Sequence, residues 1–414
     1  MNPFNNINTE SINRRGFIKG VASTALSFTI VKPELVFATK SNSKIKLGMI
    51  GCGSRGTWIT QLFLEHGGFE VVAAADYFDD RLEVFATKFN ITSNQCYKGL
   101  SGYKRMLDEN IDAVAIESPP YFHPEQAAAA INATKHVYLA KPVAIDVLGC
   151  KRISEAGRKA TDNNLCVLVD FQTRANDLFI EAIKRIHQGA IGDIAFGEAS
   201  YHAGSPFKHM YGLLESDPDN PENRLRAWGL DRILSGDIIT EQNIHTIDVM
   251  SWIMNAEPVY AMGTGGHTVR KDKGSCWDHF VLLFQYPHNI GITFSSRQFD
   301  GHGTIPEGIR NRVFGSQGVI ETEYGGQVLI RGENFYQGGM TSQIFREGAV
   351  KNIAAFYKNI TEGEFINPTV EPSVRSNLVT ILGRSAAYEQ RPVYWHQLMA
   401  SDEKLEADLG GLKD

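Results

Sequence analysis

The chain has 414 residues, 43% of them hydrophobic and 21% charged, with a formal net charge of −6. That is enough apolar material for two cores, and the acidic balance argues against a nucleic-acid partner. Five widely spaced cysteines with no C-x-x-C pair read as buried thiols rather than as a disulfide framework.

The first pattern in chain order is Asn13-Arg14-Arg15-Gly16-Phe17-Ile18-Lys19, followed by an uncharged stretch from Gly20 to Val31 and by Val36-Phe37-Ala38, small enough for signal peptidase. It resembles a twin-arginine export signal over residues 1–38, with the mature chain starting near Thr39. Removing it takes away four basic residues (Arg14, Arg15, Lys19, Lys32) and two acidic ones (Glu10, Glu34), leaving 37 against 45 and a net charge of −8. No apolar run reaches the ~20 residues of a membrane span, and no cysteine follows the signal for lipidation. The expectation is a periplasmic protein with no membrane anchor, whose partner during export is the twin-arginine translocase.

Next comes a strand, Lys46 to Ile50, then the turn Gly51-Cys52-Gly53-Ser54-Arg55-Gly56, then a helix from Thr57 to His66 with Trp58, Ile59, Leu62 and Phe63 at helical spacing. A second strand, Glu70 to Ala75, ends in Asp76, about twenty residues past the last glycine, where a dinucleotide fold needs an acid. Each residue type has a reason. Gly51 permits the tight turn, Gly53 lets backbone approach a pyrophosphate, and Gly56 lets helix and strand pack closely, while the helix N-terminus offers unpaired N–H groups to phosphate. Asp76 accepts from both ribose hydroxyls and repels a 2′-phosphate, which favours NAD over NADP. Twin-arginine export moves folded proteins, so NAD is expected to travel inside the protein, tightly bound.

Further strands at Ala113 to Ile116, His136 to Leu139 and Leu165 to Val169 alternate with helices around Arg81, Tyr103, Glu125 and Val147, the rhythm of a doubly wound parallel sheet over residues 44–169. After about Asp170 a helix, Asp177 to Gln188, precedes segments with period-2 alternation: Ile194 to Tyr201, His279 to Phe284, Ile290 to Ser295 and Val328 to Arg331. These predict an α+β domain over residues 170–390 with a mostly antiparallel open sheet, one face left for substrate or for a subunit contact. A final helix, Val374 to Tyr388, is compatible with a return to the first domain. The fold class is therefore α/β: a Rossmann domain plus an α+β domain, expected to form a homo-oligomer through the open sheet.

The glycine turn with Asp76, Ser118-Pro119-Pro120-Tyr121-Phe122-His123, Ala140-Lys141-Pro142 and Glu241-Gln242-Asn243-Ile244-His245-Thr246-Ile247-Asp248 together resemble the glucose-fructose oxidoreductase / inositol dehydrogenase / rhizopine catabolism (Gfo/Idh/MocA) family, from about Lys44 to Tyr388. The resemblance implies that Lys141 stands beside the nicotinamide, that His245 and Glu241 serve the substrate, that Arg174 lines the substrate pocket, and that His123 lies near the nicotinamide ribose. Gly51, Gly53, Ser54, Arg55, Gly56, Asp76, Pro119, His123 and Lys141 are the candidate cofactor contacts. Ala140 stands where the family has Glu, and Glu241 where it has Asp.

The chemistry is argued independently of that likeness. Hydride leaves a secondary carbinol only if the hydroxyl proton departs too, so a base must reach that oxygen. Lys141 ends a strand at the carboxyl edge of the parallel sheet, where open α/β sheets bind ligands. Glu241 and His245 are four apart and Asp248 three further on, which places them on one helix face; His245 can shuttle the proton, with Glu241 fixing its tautomer or holding another hydroxyl, while Asp248 reads as structural. No metal is expected, since one carboxylate and one histidine lack a third ligand. Tyr201, His202, Trp228, Trp277, Asp278 and His279 have the groups to grip a sugar ring, although scattered aromatics are usually core. The expected activity is oxidation or reduction of a secondary carbinol or ketone of a sugar, glycoside or cyclitol. The alternatives are an NAD-dependent redox-neutral glycosidase, whose known Val-Pro and Thr-His-Gly motifs are absent, and a non-catalytic NAD-loaded sensor.

Overall fold

A computed structural model describes residues 44–217, 220–271, 273–305, 307–402 and 404–414. The twin-arginine segment lies outside the described residues. No helix among the described residues is long and apolar enough to cross a membrane.

Six parallel strands form the first sheet: β1 (Ile45–Ile50), β2 (Phe69–Asp76), β3 (Cys96–Lys98), β4 (Ala113–Ile116), β5 (His136–Ala140) and β6 (Val167–Asp170), in the order β3-β2-β1-β4-β5-β6. The four residues of β4, Ala-Val-Ala-Ile, are all buried, as a central parallel strand covered on both faces requires. Strand order reverses between β1 and β4, and a crevice opens there beyond the carboxyl ends. Helix α1 (Ser54–His66) buries Ile59, Leu62 and Phe63 against one face of this sheet. The same core takes Ala349, Ile353 and Phe356 from a helix far along the chain, Ile344–Glu362. The first domain is therefore completed by residues well past 169.

The second sheet has nine strands, and β7 (Ile194–Ala203), β8 (Tyr260–Gly266), β9 (His279–Tyr286), β10 (Ile290–Gln298) and β11 (Gly308–Gly315) form most of it. Pairing is antiparallel except between β7 and β10. The alternation in the sequence is what the strands show: Phe280, Leu282, Phe284 and Tyr286 of β9 point into the core, while Val281 is 54% exposed on the other face.

The helix Val370–Glu389 does return to the first domain. Asn377 accepts from the backbone N–H of Val143 at 3.1 Å and donates to the carbonyl of Ala144 at 3.0 Å, and Arg384 donates to the carbonyl of Ile145 at 2.8 Å. The free edge of β6 is closed by side chains from the approach to this helix: Val167 N–H donates to Asn367 at 2.7 Å and Val169 N–H to Thr369 at 3.1 Å. These bonds satisfy backbone groups that an edge strand leaves open. Cys52, Cys150, Cys166 and Cys276 are buried free thiols, as read from the sequence, whereas Cys96 is only half-buried.

Candidate active site

Two cavities meet at the carboxyl edge of the parallel sheet. The first, of about 320 Å³, is lined by Gly51, Gly53, Ser54, Arg55, Gly56, Asp76 and Pro119, and by residues that sequence reasoning passed over, among them Phe78, Arg81 and Glu117. Gly51 takes φ +94°, and a Cβ there would sit 2.7 Å from the backbone of Glu117, so the turn after β1 and the turn after β4 touch only because position 51 is glycine. A Cβ on Gly56 would collide with the Gly51 carbonyl, which keeps α1 close to β1. At Gly53, by contrast, a Cβ would meet nothing nearer than Arg81, 3.8 Å away. The chain leaves that space open beside the α1 N-terminus, whose N–H groups face it.

Asp76 is tied by two backbone donors, Cys52 N–H at 2.6 Å and Phe78 N–H at 2.8 Å, one to each carboxylate oxygen. Each oxygen keeps a lone pair for a ribose hydroxyl. Burial raises its pKa, while the two backbone donors and Arg81 oppose the shift. A cradle open at Gly53, an anchored acid at the end of β2 and a cleft between them fit a dinucleotide.

The far end of this cleft is covered by the segment after β7. Tyr77 hydroxyl donates to Glu222 at 2.8 Å, Arg226 pairs with Asp80 at 2.8 Å and stacks 3.9 Å over Phe78, and Phe207, Met210 and Trp228 line the opening. The C-terminal residues join the same cover, with Leu100 N–H donating to the Lys413 carbonyl at 3.1 Å and Lys413 N–H to Tyr77 at 3.2 Å.

The second cavity, of about 340 Å³, shares Arg55, Glu117, Ser118, Phe207 and Trp228 with the first and adds Lys141, Tyr201, Glu241, Gln242, His245 and Tyr324. Lys141 Nζ donates to the Glu241 carbonyl at 2.6 Å and to Glu241 Oε1 at 3.1 Å. His245 is half-buried, its Nδ1 is out of contact with solvent and has no partner among the described residues, and desolvation together with the positive charges of Lys141 and Arg55 holds its pKa well below the usual histidine value. A neutral imidazole with a free nitrogen, beside an ammonium group anchored by a carboxylate, can accept a proton from a hydroxyl held between them.

Several sequence expectations are corrected here. Glu241 and His245 are not on one continuous helix: Asp237–Glu241 and Ile244–Met254 are separate helices broken at Gln242 and Asn243. Glu241 consequently pairs with Lys141 instead of setting the tautomer of His245. Arg174 does not line either cavity; it makes a bidentate pair with buried Asp248, at 2.8 to 3.0 Å, and stacks over Trp252, while Asp248 also accepts from Ser376 at 2.7 Å. His123 is buried with its ring nitrogens 2.8 Å from the carbonyls of Pro142 and Ser118; burial lowers its pKa to about 4, and the neutral ring, with one N–H, donates to one of these two carbonyls, so it packs behind the cavities rather than lining them. Arg55 reaches both cavities, but its guanidinium turns to Asp170 and Glu117 and stacks on Trp58 and Phe345. Of the aromatic and polar candidates, Tyr201 and Trp228 face the second cavity. His202 is bonded to Ser295 at 3.0 Å, Trp277 stacks on Tyr388, and Asp278 binds His279 and the 269–270 backbone, so these serve the fold. No group of three potential metal ligands occurs among the described residues.

Tyr324 and Phe345 come from segments with no local signal. Glu117 did have one: a lone acid directly after an all-apolar strand, at the same sheet edge as Gly51 and Lys141.

Comparison with known proteins agrees with this geometry. Residues 45–170 match the family model "Oxidoreductase family, NAD-binding Rossmann fold", and residues 179–321 match the Gfo/Idh/MocA C-terminal domain. A myo-inositol 2-dehydrogenase of Thermotoga maritima is 24% identical over 83% of this chain and 95% of its own. A glycosyl hydrolase family 109 protein of Shewanella pealeana is 26% identical over 38% of this chain and 35% of its own. The crystal structure of an aldose-aldose oxidoreductase from Caulobacter crescentus, with glycerol bound, superposes with a TM-score of 0.67 at 19% identity, covering 85% of this chain and 100% of that one. With an NAD-binding Rossmann domain, the matching C-terminal domain and a second cavity against the dinucleotide cleft, the chain belongs to the Gfo/Idh/MocA family of oxidoreductases acting on CH–OH groups.

Proposed function

We propose that this protein oxidises or reduces a secondary carbinol or ketone of a sugar, glycoside or cyclitol, working as an exported enzyme that keeps its NAD. The observation that carries the reading is the pairing of anchored Lys141 with half-buried, neutral His245 in a cavity that shares Arg55, Glu117, Ser118, Phe207 and Trp228 with the dinucleotide cleft. NAD supplies the hydride acceptor when bound. Lys141, held by both oxygens of Glu241 that it reaches, fixes the reacting oxygen of the substrate. His245 takes the hydroxyl proton in oxidation and returns it in reduction. Tyr201 and Gln242, bonded to each other at 2.8 Å, present polar edges to further hydroxyls.

The test is a panel of inositols, aldoses and anhydrosugars added to native protein, following the near-ultraviolet absorbance of reduced nicotinamide. Stoichiometric reduction that stops until a ketone acceptor arrives supports the proposal; no reduction with any polyol overturns it. Similarity to a glycosyl hydrolase family 109 protein keeps a redox-neutral glycosidase as the second reading. Sustained aglycone release without acceptor, with solvent deuterium beside the transient ketone, selects it.

Export rests on Arg14-Arg15 ahead of an uncharged run. Changing both arginines to Lys keeps the charge and should retain the protein in the cytoplasm. Self-association is supported by the outer face of the large sheet, where Phe196 stacks on Phe314 at 4.6 Å and Val281 and Met262 are exposed. Phe196→Glu should lower the mass found by light scattering.

A further inference from the structure

The residue of this site with the least structural excuse is Glu117. Its side chain has no exposure, yet neither carboxylate oxygen has a hydrogen-bond partner among the described residues, and the nearest cation, Arg55 Nε, is 3.4 Å away. A buried carboxylate left in that state costs stability, so a fold keeps one only where something compensates. Glu117 lies on the wall shared by the two cavities.

Strand register says why it stands there. Ile116 of β4 pairs with Leu139 of β5, and Ala140 of β5 pairs with Asp170 of β6, so the next row across the strand ends reads Glu117, Ala140, Asp170. Ala140 is the small member between two acids, and the Arg55 guanidinium spans both of them. Position 140, directly before Lys141, therefore carries no carboxylate of its own, while the neighbouring strand end supplies one.

We propose that Glu117 is a functional carboxylate of this site, a positioning residue displaced from β5 to β4, whose charge tunes how tightly the protein holds oxidised against reduced nicotinamide. The inference rests on the reading of the chain as an NAD-dependent oxidoreductase. The oxidised ring is cationic and the reduced ring neutral, so an ionised Glu117 at the end of the cleft favours the oxidised form and a protonated one does not. The groups that face Glu117 are Arg55 from α1, Tyr138 from β5, Lys141 just beyond the end of β5 and Asp170 from β6. Burial, and secondarily Asp170, push its pKa up to about 7 against the pull of Arg55 and Lys141. The charge is thus present above neutrality and lost below it, and by linkage binding of the oxidised cofactor expels a proton from Glu117.

The experiment measures NAD by calorimetry and NADH by fluorescence on the full protein from acid to alkaline pH, with no substrate present. In the unmodified protein the ratio of the NAD to the NADH dissociation constant should fall about tenfold as pH rises through neutrality. E117Q, nearly isosteric and uncharged, should bind both nucleotides with a pH-independent ratio, and E117D should keep the dependence. E117A/A140E, which returns the carboxylate to β5, should restore it. An unmodified protein with a flat ratio, or E117Q with an unchanged one, overturns the proposal; a double variant that folds, binds NADH and stays flat overturns the displacement. Because no substrate enters the measurement, a chain that turns over no polyol refutes the carbohydrate reading without touching this result.

Discussion

The two cavities are built on opposite principles. The dinucleotide cleft is made largely of backbone: a positive-φ glycine, a helix N-terminus whose N–H groups stay open to a phosphate, and an aspartate held in place by two N–H groups before any ligand arrives. The second cavity is made of side chains from the ends of β4 and β5, two helices and a strand of the large sheet; it leaves His245 Nδ1 without a partner, and Glu117, ion-paired with Arg55 but with no hydrogen bond, stands on the wall it shares with the cleft. A binding surface can be satisfied and rigid; a proton-transfer site must hold groups whose bonds are completed only by substrate. The difference predicts that, away from the shared wall that holds Glu117, damage to the two cavities separates, one affecting cofactor affinity and the other turnover.

The largest effect should come from Lys141→Met, which removes the cation proposed to fix the reacting oxygen while leaving the glycine turn untouched. Turnover should drop on the order of a thousandfold and NADH affinity by less than about threefold. His245→Ala should cost about a hundredfold in turnover. Because burial depresses the pKa of His245, its neutral form persists as pH falls through the ordinary histidine range, and the acid limb of the rate profile of the unmodified enzyme should lie below pH 6.5. An acid limb at or above that value, or a wild-type rate for Lys141→Met, would break the division of labour between the cavities.

Next in size is a stability effect. Arg174→Ala leaves the Asp248 carboxylate buried with only Ser376, and loss of one partner from such a pair costs about 3 kcal/mol. A denaturant midpoint should fall accordingly, with the Michaelis constant for substrate nearly unchanged. A large rise in that constant in a protein of unaltered stability would return Arg174 to the substrate pocket.

How much of this was legible in the sequence follows the same line. The dinucleotide cleft is contiguous, so strand, turn, helix and Asp76 declared themselves by spacing, and five of the six parallel strands followed from alternation, while the three-residue β3 was too short to leave a pattern. Period-2 segments gave away β7, β9 and β10 for the same local reason. The second cavity is assembled from distant pieces. Arg174 looked like a site residue because its partner Asp248, read as structural, lies far along the chain, and the helix expected over Glu241–Asp248 is broken at Gln242-Asn243, where spacing alone reads straight through. Helix Ile344–Glu362, which supplies Phe345 to the site and Phe356 to the first core, was invisible because its partners are the early strands.

Cofactor choice tests the cleft itself. Asp76→Ala removes the acceptor for the ribose hydroxyls and leaves Arg81, which lines the same end of the cleft, free of its neighbouring anion. NAD affinity should fall about tenfold and the preference over NADP should narrow or reverse, as read by competitive calorimetry. Tighter NADP than NAD binding by the unmodified protein would overturn the role given to Asp76.

The smallest effect expected is at the cover of the cleft. Residues 404–414 touch the first domain through Leu405 N–H on Asp146 at 2.9 Å, through Lys413 on Leu100 and Tyr77, and through Ala407 and Leu412 packed near Phe78. None of these contacts reaches Lys141 or His245, and most are single hydrogen bonds at a partly wet surface, each contributing about 1 kcal/mol. Their shared consequence is to hold Tyr77, Phe78 and Leu100 against the adenosine end of the cleft. Deleting residues 404–414 should therefore speed NADH release several-fold in a stopped-flow chase while leaving the rate of the reducing step in pre-loaded enzyme unchanged. If release is unaffected, cofactor retention resides in the segment after β7 alone; if the reducing step slows as well, the two cavities are mechanically coupled and the separation drawn between them fails.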